Sequence, residues 1–340
     1  MELVVNPSPN VTPYCYSLLH VEPYATCQFS CVYCFARWYR GEELAANRDA
    51  VRLFERVAEK IRRRGLKPFP FRLAAFVDPF QPAESEFRLS RKVMKISLRL
   101  GIPLIVNTKA EPDELIVELA SRGLAILQVS LTTLSDEKAS VIEPRAPKPS
   151  ERLKVVEKFS SDVPTIVRLQ PLIPGLSELE IVDAAKAAGA RQLVAEIVRD
   201  EEVNVSIYER LGAELGELEE YSSTAGVDRI VRPKLEVRRR VYEEFAERAR
   251  KVHIDFALCK EPFFDLETAE NCCGMHYLQD YALRLTLREL SRGAKSVEEL
   301  DERYVFGERL RAYPRVISRG LRWHEKVLFE IYGAQNLSQT

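Results

Sequence analysis

Residues 27–36, CQFSCVYCFA, hold three cysteines in the order CxxxCxxC, with Tyr33 directly before the last. Three thiolates on one tight loop hold three corners of a four-iron, four-sulfur cluster and leave the fourth iron without a protein ligand. An electron carrier instead closes all four corners with cysteine. An iron left open binds and reduces a small molecule, so the spacing points to catalysis at the metal rather than electron storage. The competing reading is a structural zinc site in which Cys15 joins Cys27, Cys31 and Cys34, because a CxxC pair by itself is commonly zinc. Against zinc stand the apolar, aromatic character of the loop (Phe29, Val32, Tyr33, Phe35) and its place at the head of a long series of strands and helices.

That series decides the fold. Helical periodicity runs over Arg48–Arg64 up to Gly65, over Arg88–Leu100 up to Gly101, over Pro112–Arg122 up to Gly123, over Ser150–Phe159, and over Ser177–Ala188 up to Gly189. Proline in the first turn and glycine just past the end of the third is the usual helix asymmetry. Between the helices lie short apolar runs: Phe71–Val77 ending at the polar Asp78, Pro103–Asn107, Leu124–Leu131, Thr165–Gln170 and Gln192–Ile197. Such runs, each followed by a helix, predict right-handed βαβ units and a parallel sheet covered on its outer face. With a strand near Tyr16–Val21 there are about six repeats, short of the eight that close a barrel. The expected fold is α/β: a partial, open parallel β/α barrel in residues 1–200, its functional residues at the strand C-termini. Beyond Asp200 the sequence predicts charged helices over Val203–Glu220 and Leu235–Val252, a turn-rich stretch from Ser222 to Lys234, and a short strand over His253–Leu258. Residues 201–340 are therefore expected to form a mostly helical C-terminal domain that carries a second cysteine cluster.

A chain of 340 residues buries one large core or two modest ones. With 46% hydrophobic and 30% charged residues and a net charge of −1, it is not built as a whole to adhere to nucleic acid or anionic membranes. The N-terminus lacks a basic stretch and a small-residue cleavage site, so no signal peptide is expected, and the apolar stretches are too short to cross a bilayer. Seven cysteines, two tight clusters and a single, suit metal binding in a reducing compartment, the cytoplasm, better than a disulfide framework.

Six ordered segments resemble the radical S-adenosylmethionine (SAM) superfamily, and within it the spore photoproduct lyase-like branch. They are EPYATCQFSCVYCFA, FVDPFQPAE, NTKA, SLTTL, EPRAPKPSERL and LQPLIPGLSE, spread over roughly residues 10 to 195. The resemblance implies that Cys27, Cys31 and Cys34 ligate a [4Fe-4S] cluster whose open iron chelates SAM, and that reductive cleavage of SAM yields a 5′-deoxyadenosyl radical that abstracts hydrogen from a substrate. It further implies that Tyr33 lies against the adenine, Asp78 takes the SAM amino group, Lys109 pairs with its carboxylate and Ser130 reaches its ribose or carboxylate. Arg145, held by Glu143, adds a second carboxylate anchor, and Ile173 supplies an apolar wall for adenine. A small electron donor such as a ferredoxin or flavodoxin is the expected partner. A plainer role stands beside each: Asp78 capping a turn before Pro79, Lys109 solvated, Arg145 in a surface ion pair, Ile173 simply buried.

Cys259, Cys272 and Cys273 form the second cluster. Three readings stay open: an auxiliary iron–sulfur cluster with a fourth ligand from Cys15, His276 or substrate; a thiol that gives a hydrogen atom to the substrate radical; and buried structural thiols. The chain departs from spore photoproduct lyases in having no cysteine between Cys34 and Cys259, where those enzymes keep their hydrogen donor. Thymine-lesion repair by the route those enzymes use is then expected only if the C-terminal thiols reach the barrel cavity. Arg311, Arg315, Arg319 and Arg322 with Tyr313 and Trp323 form either a basic aromatic surface for nucleic acid or an ordinary solvated helix edge.

Overall fold

In a computed structural model of the chain, residues 4–38, 43–222, 229–291 and 300–337 are described. Among the described residues ten strands, numbered in chain order, make two sheets. The first comprises β1 (His20–Val21), β2 (Phe71–Leu73), β3 (Leu104–Thr108), β4 (Ala125–Ser130), β5 (Thr165–Leu172) and β6 (Gln192–Ile197). The second takes β7 (Asp200–Glu201), β8 (Leu218–Ser222) and β9 (Ile230–Pro233), and the chain then returns to the first sheet with β10 (Asp255–Leu258).

The large sheet is parallel throughout, in the order β1-β2-β3-β4-β5-β6-β10. From β1 to β6 each strand lies beside its predecessor, as successive βα units place them. Among the described residues β1 and β10 do not pair, so the barrel is open along that seam. The sheet has seven strands rather than about six repeats, because β10 pairs with β6 in register Phe256–Leu193. The parallel sheet therefore draws its last strand from beyond the boundary expected near residue 200.

The helices form where the sequence places their stops. Asn47 caps Arg48–Arg63 by accepting from Ala50 N at 3.2 Å, and Gly101, at φ 69°, ends Leu89–Leu100 in a conformation that costs an L side chain energy. Two expected helices are shorter, at Leu115–Ser121 and Ile181–Ala187. The run Val203–Glu220 is α-helical only over Val205–Arg210, after a 3-10 turn at Glu202–Asn204, and its C-terminal end becomes β8, whose partner β9 lies within the stretch expected to be turns. The middle of that stretch, 223–228, lies outside the described residues.

Strand alternation separates two faces. Leu104, Val106, Leu127, Val167, Leu193 and Phe256 turn outward into the main core beneath the helices. Ile105, Ile126, Ile166, Val194 and Ala257 turn inward and pack against Cys259, Cys272, Cys273, Met275 and Leu278. The barrel floor is thus plugged by the segment after β10. At its tightest point Gly274, with φ 73°, leaves room for no Cβ: one would come within 2.2 Å of Ile166 Cδ1.

Candidate functional site: a cysteine loop over a polar barrel

The cysteine loop is braced from two sides at the strand C-termini. Toward β2, Gln28 N donates to Gln81 Oε1 (2.7 Å), Ala83 N to Gln28 Oε1 (2.7 Å) and Gln81 Nε2 to Thr26 O (2.9 Å). Toward β4, Val32 N donates to Ile142 O at 2.8 Å. Within the loop Ser30 adopts φ 53° and Cys34 N bonds Cys31 O, folding the loop back on itself. Just beyond it, Arg37 donates to Asp200 Oδ1 at 2.8 Å, and Asp200 also receives the Tyr208 hydroxyl. The loop is thereby tied to the segment that leaves β6. None of these braces was singled out from sequence; the QF and FQ pairs were the available signal.

Tyr33 points into the protein. Its hydroxyl donates to Glu143, which is also bonded by Thr132 (3.1 Å) and by the guanidinium of Arg152. Glu143 and Arg152 are a buried pair, 0% and 1% exposed at the side chain. Burial drives the Tyr33 hydroxyl well above its ordinary range, with the Glu143 charge adding to it. Burial acts upward on Glu143 as well, but Arg152 and Lys109 outweigh it and hold this carboxyl below the ordinary value. The expected pairing is corrected here: Glu143 holds Arg152, while Arg145 is exposed. Arg152 lies at the first turn of the helix Pro149–Phe159, which turns it back toward the end of β4, where it reaches Ser130 O at 3.2 Å.

Lys109 follows β3, its ammonium 5.5 Å from the Tyr33 ring centroid. Burial favours its neutral form, yet Cys31 and Glu143 together raise its pKa. Asp78 does not wait for an ammonium. It is 7% exposed, and its carboxylate accepts from Phe80 N (2.9 Å), Thr108 Oγ1 (2.8 Å) and Lys109 N (2.6 Å). It acts as a brace that fixes the backbone carrying Lys109, closer to the turn-capping role than to a ligand. Ser130 ends β4 with 9% exposure, and Ile173 is fully buried in one apolar cluster with Ile142, Val32 and Tyr33.

Cys27, Cys31 and Cys34 are half-buried at this mouth. Burial pushes the Cys31 thiol up to about 12, against the pull of Lys109, and Cys34 and Cys27 are near enough to raise it further. Among the described residues no three His, Cys, Asp or Glu side chains converge closely enough to hold a single metal ion. Cys15, the fourth member of the zinc reading, lies elsewhere, beside Cys273, Arg72 and Cys259. Three soft thiols on one preformed loop, with a cation and an aromatic ring alongside, fit a cluster that leaves one iron open.

The second cysteine cluster lies inside the barrel. Cys272 and Cys273 Sγ are 3.8 Å apart, and Arg72 Nη2 lies 3.4 Å from Cys273 Sγ. The Cys272 hydrogen bond brings the Cys273 thiol down to about 7, with Arg72 helping against burial. Of the two protein groups considered as a fourth member, Cys15 is present, while His276 stacks on Tyr277. The surface group is corrected too. Tyr313 is 4% exposed, donating to Lys67 O at 2.7 Å and packing on Phe69, whereas Arg311, Arg315, Arg319, Arg322 and Trp323 are exposed.

Residues 21–188 match the family model of the Radical SAM superfamily. The chain belongs to the radical SAM superfamily. The family implies a [4Fe-4S] cluster and SAM, in agreement with the donor set at the mouth. In fold, this radical SAM chain is similar to a spore photoproduct lyase variant solved with a dinucleoside spore photoproduct: TM-score 0.55, 13% identity, covering 71% of this chain and 76% of that one. A second variant, solved with AdoMet and the same dinucleoside, gives TM-score 0.54 at 14% identity over the same shares. Two curated relatives are an uncharacterized protein of Acidianus two-tailed virus, 30% identical over 145 residues (39% of this chain, 48% of the relative), and one of Methanocaldococcus jannaschii, 23% identical over 168 residues (48% and 63%). The chain thus spans less than two thirds of the length of either. Among the described residues no helix is long and apolar enough to cross a membrane.

Proposed function

We propose that the chain is a radical SAM enzyme that reductively cleaves SAM above the barrel and uses the resulting 5′-deoxyadenosyl radical to abstract hydrogen from a substrate seated inside it. The observation that carries this reading is the cysteine loop itself, three thiols fixed at the strand ends beside Lys109 and Tyr33. When bound, the cluster and SAM supply the electron and the radical; the chain's own residues orient and shield them. Lys109 is a cation for the SAM carboxylate, Ser130 a hydroxyl at the rim, and Val32, backed by the buried Ile173, an apolar wall against which an adenine can lie. Tyr33 is clamped by Glu143, which keeps the loop's aromatic residue from swinging into solvent. A small donor, a ferredoxin or flavodoxin, delivers the electron.

A second reading, repair or modification of a nucleic acid by the same radical, draws on the thiols at the inner face of the barrel, where Cys272, kept protonated by its bonds to Cys259 and Cys273 and by burial, holds a thiol hydrogen for a substrate radical. The first test is formation of 5′-deoxyadenosine by anaerobically reconstituted protein with dithionite and SAM. Activity lost in Cys31→Ala supports an enzyme. A colourless, zinc-loaded protein that leaves SAM intact indicates a non-catalytic binding protein instead.

A further inference from the structure

Two guanidiniums stand inside the barrel without a carboxylate. Arg72 on β2 is the register partner of Ile105, and Arg168 on β5 follows Ile166 by two residues, so both share the inward face. Arg72 meets the Cys273 thiol, and Arg168 Nη1 donates to a neutral amide oxygen, Gln128 Oε1, at 3.2 Å. Among the described residues neither forms an ion pair with a carboxylate, whereas the buried Arg152 and Arg238 are matched by Glu143 and Glu261. Burial acts downward on the Arg72 pKa, but the thiols of Cys273, Cys15 and Cys259 outweigh it and raise that pKa. The half-buried Arg168 has only the neutral amide beside it, and a charge withdrawn from water without a counterion is unfavourable. Burial and the neighbouring Arg72 both lower the pKa of Arg168, in keeping with that mismatch.

Polar atoms gather on the same face. His20 Nε2, Asn107 Oδ1 and Gln170 Nε2 are buried and have no hydrogen-bond partner. His20 is the register partner of Arg72, Asn107 lies two residues past Ile105, and Gln170 two past Arg168. The inner face is therefore mixed rather than apolar: beside Ile105, Ile126 and Ile166 stand guanidiniums and unsatisfied polar atoms, with His20 and Arg72 level with Ile105 and Arg168 level with Ser130 at the rim. A barrel interior built only for packing has no use for these groups, since each unpaired one weakens the fold.

We propose that the substrate carries an oxyanion, a carboxylate or a phosphate, which Arg72 and Arg168 bind inside the barrel while Asn107, Gln170 and His20 take its neighbouring polar groups. Guanidinium forks suit either oxyanion, because each offers parallel donors to two oxygens. The proposal rests on the radical SAM reading for placing the substrate beneath the rim, but oxyanion binding itself needs neither cluster nor electron.

Inorganic phosphate and acetate serve as probes, titrated calorimetrically into reconstituted protein at constant ionic strength with chloride as reference. Saturable binding of one probe is expected, and the probe that binds assigns phosphate or carboxylate. Arg168→Gln and Arg72→Gln should each weaken it about tenfold or more, the loss expected for a charge-assisted hydrogen-bonded pair. Arg168→Lys, which keeps the charge and loses the fork, should fall between. No saturable binding of either probe by the wild-type protein overturns the proposal without recourse to any variant, as does binding as tight as wild type in both glutamine variants. Oxyanion binding without SAM cleavage removes the enzyme reading and leaves this inference standing; SAM cleavage without oxyanion binding does the reverse.

Discussion

Replacing Glu143 with glutamine tests how the aromatic residue of the cysteine loop is held. The carboxylate joins Tyr33, Thr132 and Arg152, and both members of the ion pair are essentially inaccessible. Glutamine keeps the volume and one acceptor for Tyr33 but leaves the guanidinium with carbonyls alone, Pro147 O at 2.7 Å and Ser130 O at 3.2 Å. Removing one partner of a buried pair costs about 3–5 kcal/mol; the surviving amide acceptor retains about 1 kcal/mol. The expected loss is therefore about 2–4 kcal/mol, read as a lower urea midpoint at unchanged slope. The double change Glu143→Gln with Arg152→Met should recover much of it, because an apolar replacement of the whole pair is often nearly neutral. The pH dependence has a definite sign. Glu143 is held below its ordinary value of 4.5, so its contribution is complete above that pH and disappears as pH falls through the lower folded value. The difference between wild type and variant should be constant from neutral pH to 4.5 and shrink only below it. A loss under about 1 kcal/mol, or strict additivity in the double change, would refute the clamp.

Three further outcomes follow from packing and chemistry. Gly274→Ala must both hold φ 73° and displace Ile166, so it should cost about 1–3 kcal/mol or more, and adding Ile166→Ala should not restore wild-type stability, since the backbone strain remains. Asp78→Asn loses the acceptor for Lys109 N, and should lower stability by about 1–3 kcal/mol while weakening SAM binding through the shifted lysine; weakened binding at unchanged stability would restore Asp78 as a direct ligand. Iron after full anaerobic reconstitution should approach about four atoms per chain, because the inner thiols touch one another and Arg72; about eight would assign them, with Cys15, a cluster of their own.

Local signals carried the first half of the molecule. Strands and helices from Arg48 to Ile197 alternate as their apolar periods and terminal glycines predict, because each βα unit satisfies its own backbone and meets its neighbours in chain order. The cysteine loop was legible for the same reason: its chemistry lies within eight residues. What escaped depends on contacts far apart in sequence. Cys15 and Cys273 meet across most of the chain, β10 completes a sheet begun near residue 20, and Tyr313 turns inward to cover Phe69. Glu143 illustrates a subtler failure. Arg145 is nearer in sequence, yet it lies in an exposed loop, while the turn of a helix brings Arg152 back to the carboxylate. The polar inner face was visible in Asn107, Gln128, Arg168 and Gln170, but continuous apolar neighbours masked its period of two.

The claim that one iron is left open is tested most directly by the electron paramagnetic resonance spectrum of the dithionite-reduced protein before and after SAM is added. A vacant coordination position predicts a saturable change in the signal on titration with SAM, absent in Cys31→Ala because no cluster forms there. A signal that ignores SAM, or a protein that binds zinc and gives no signal at all, would contradict it.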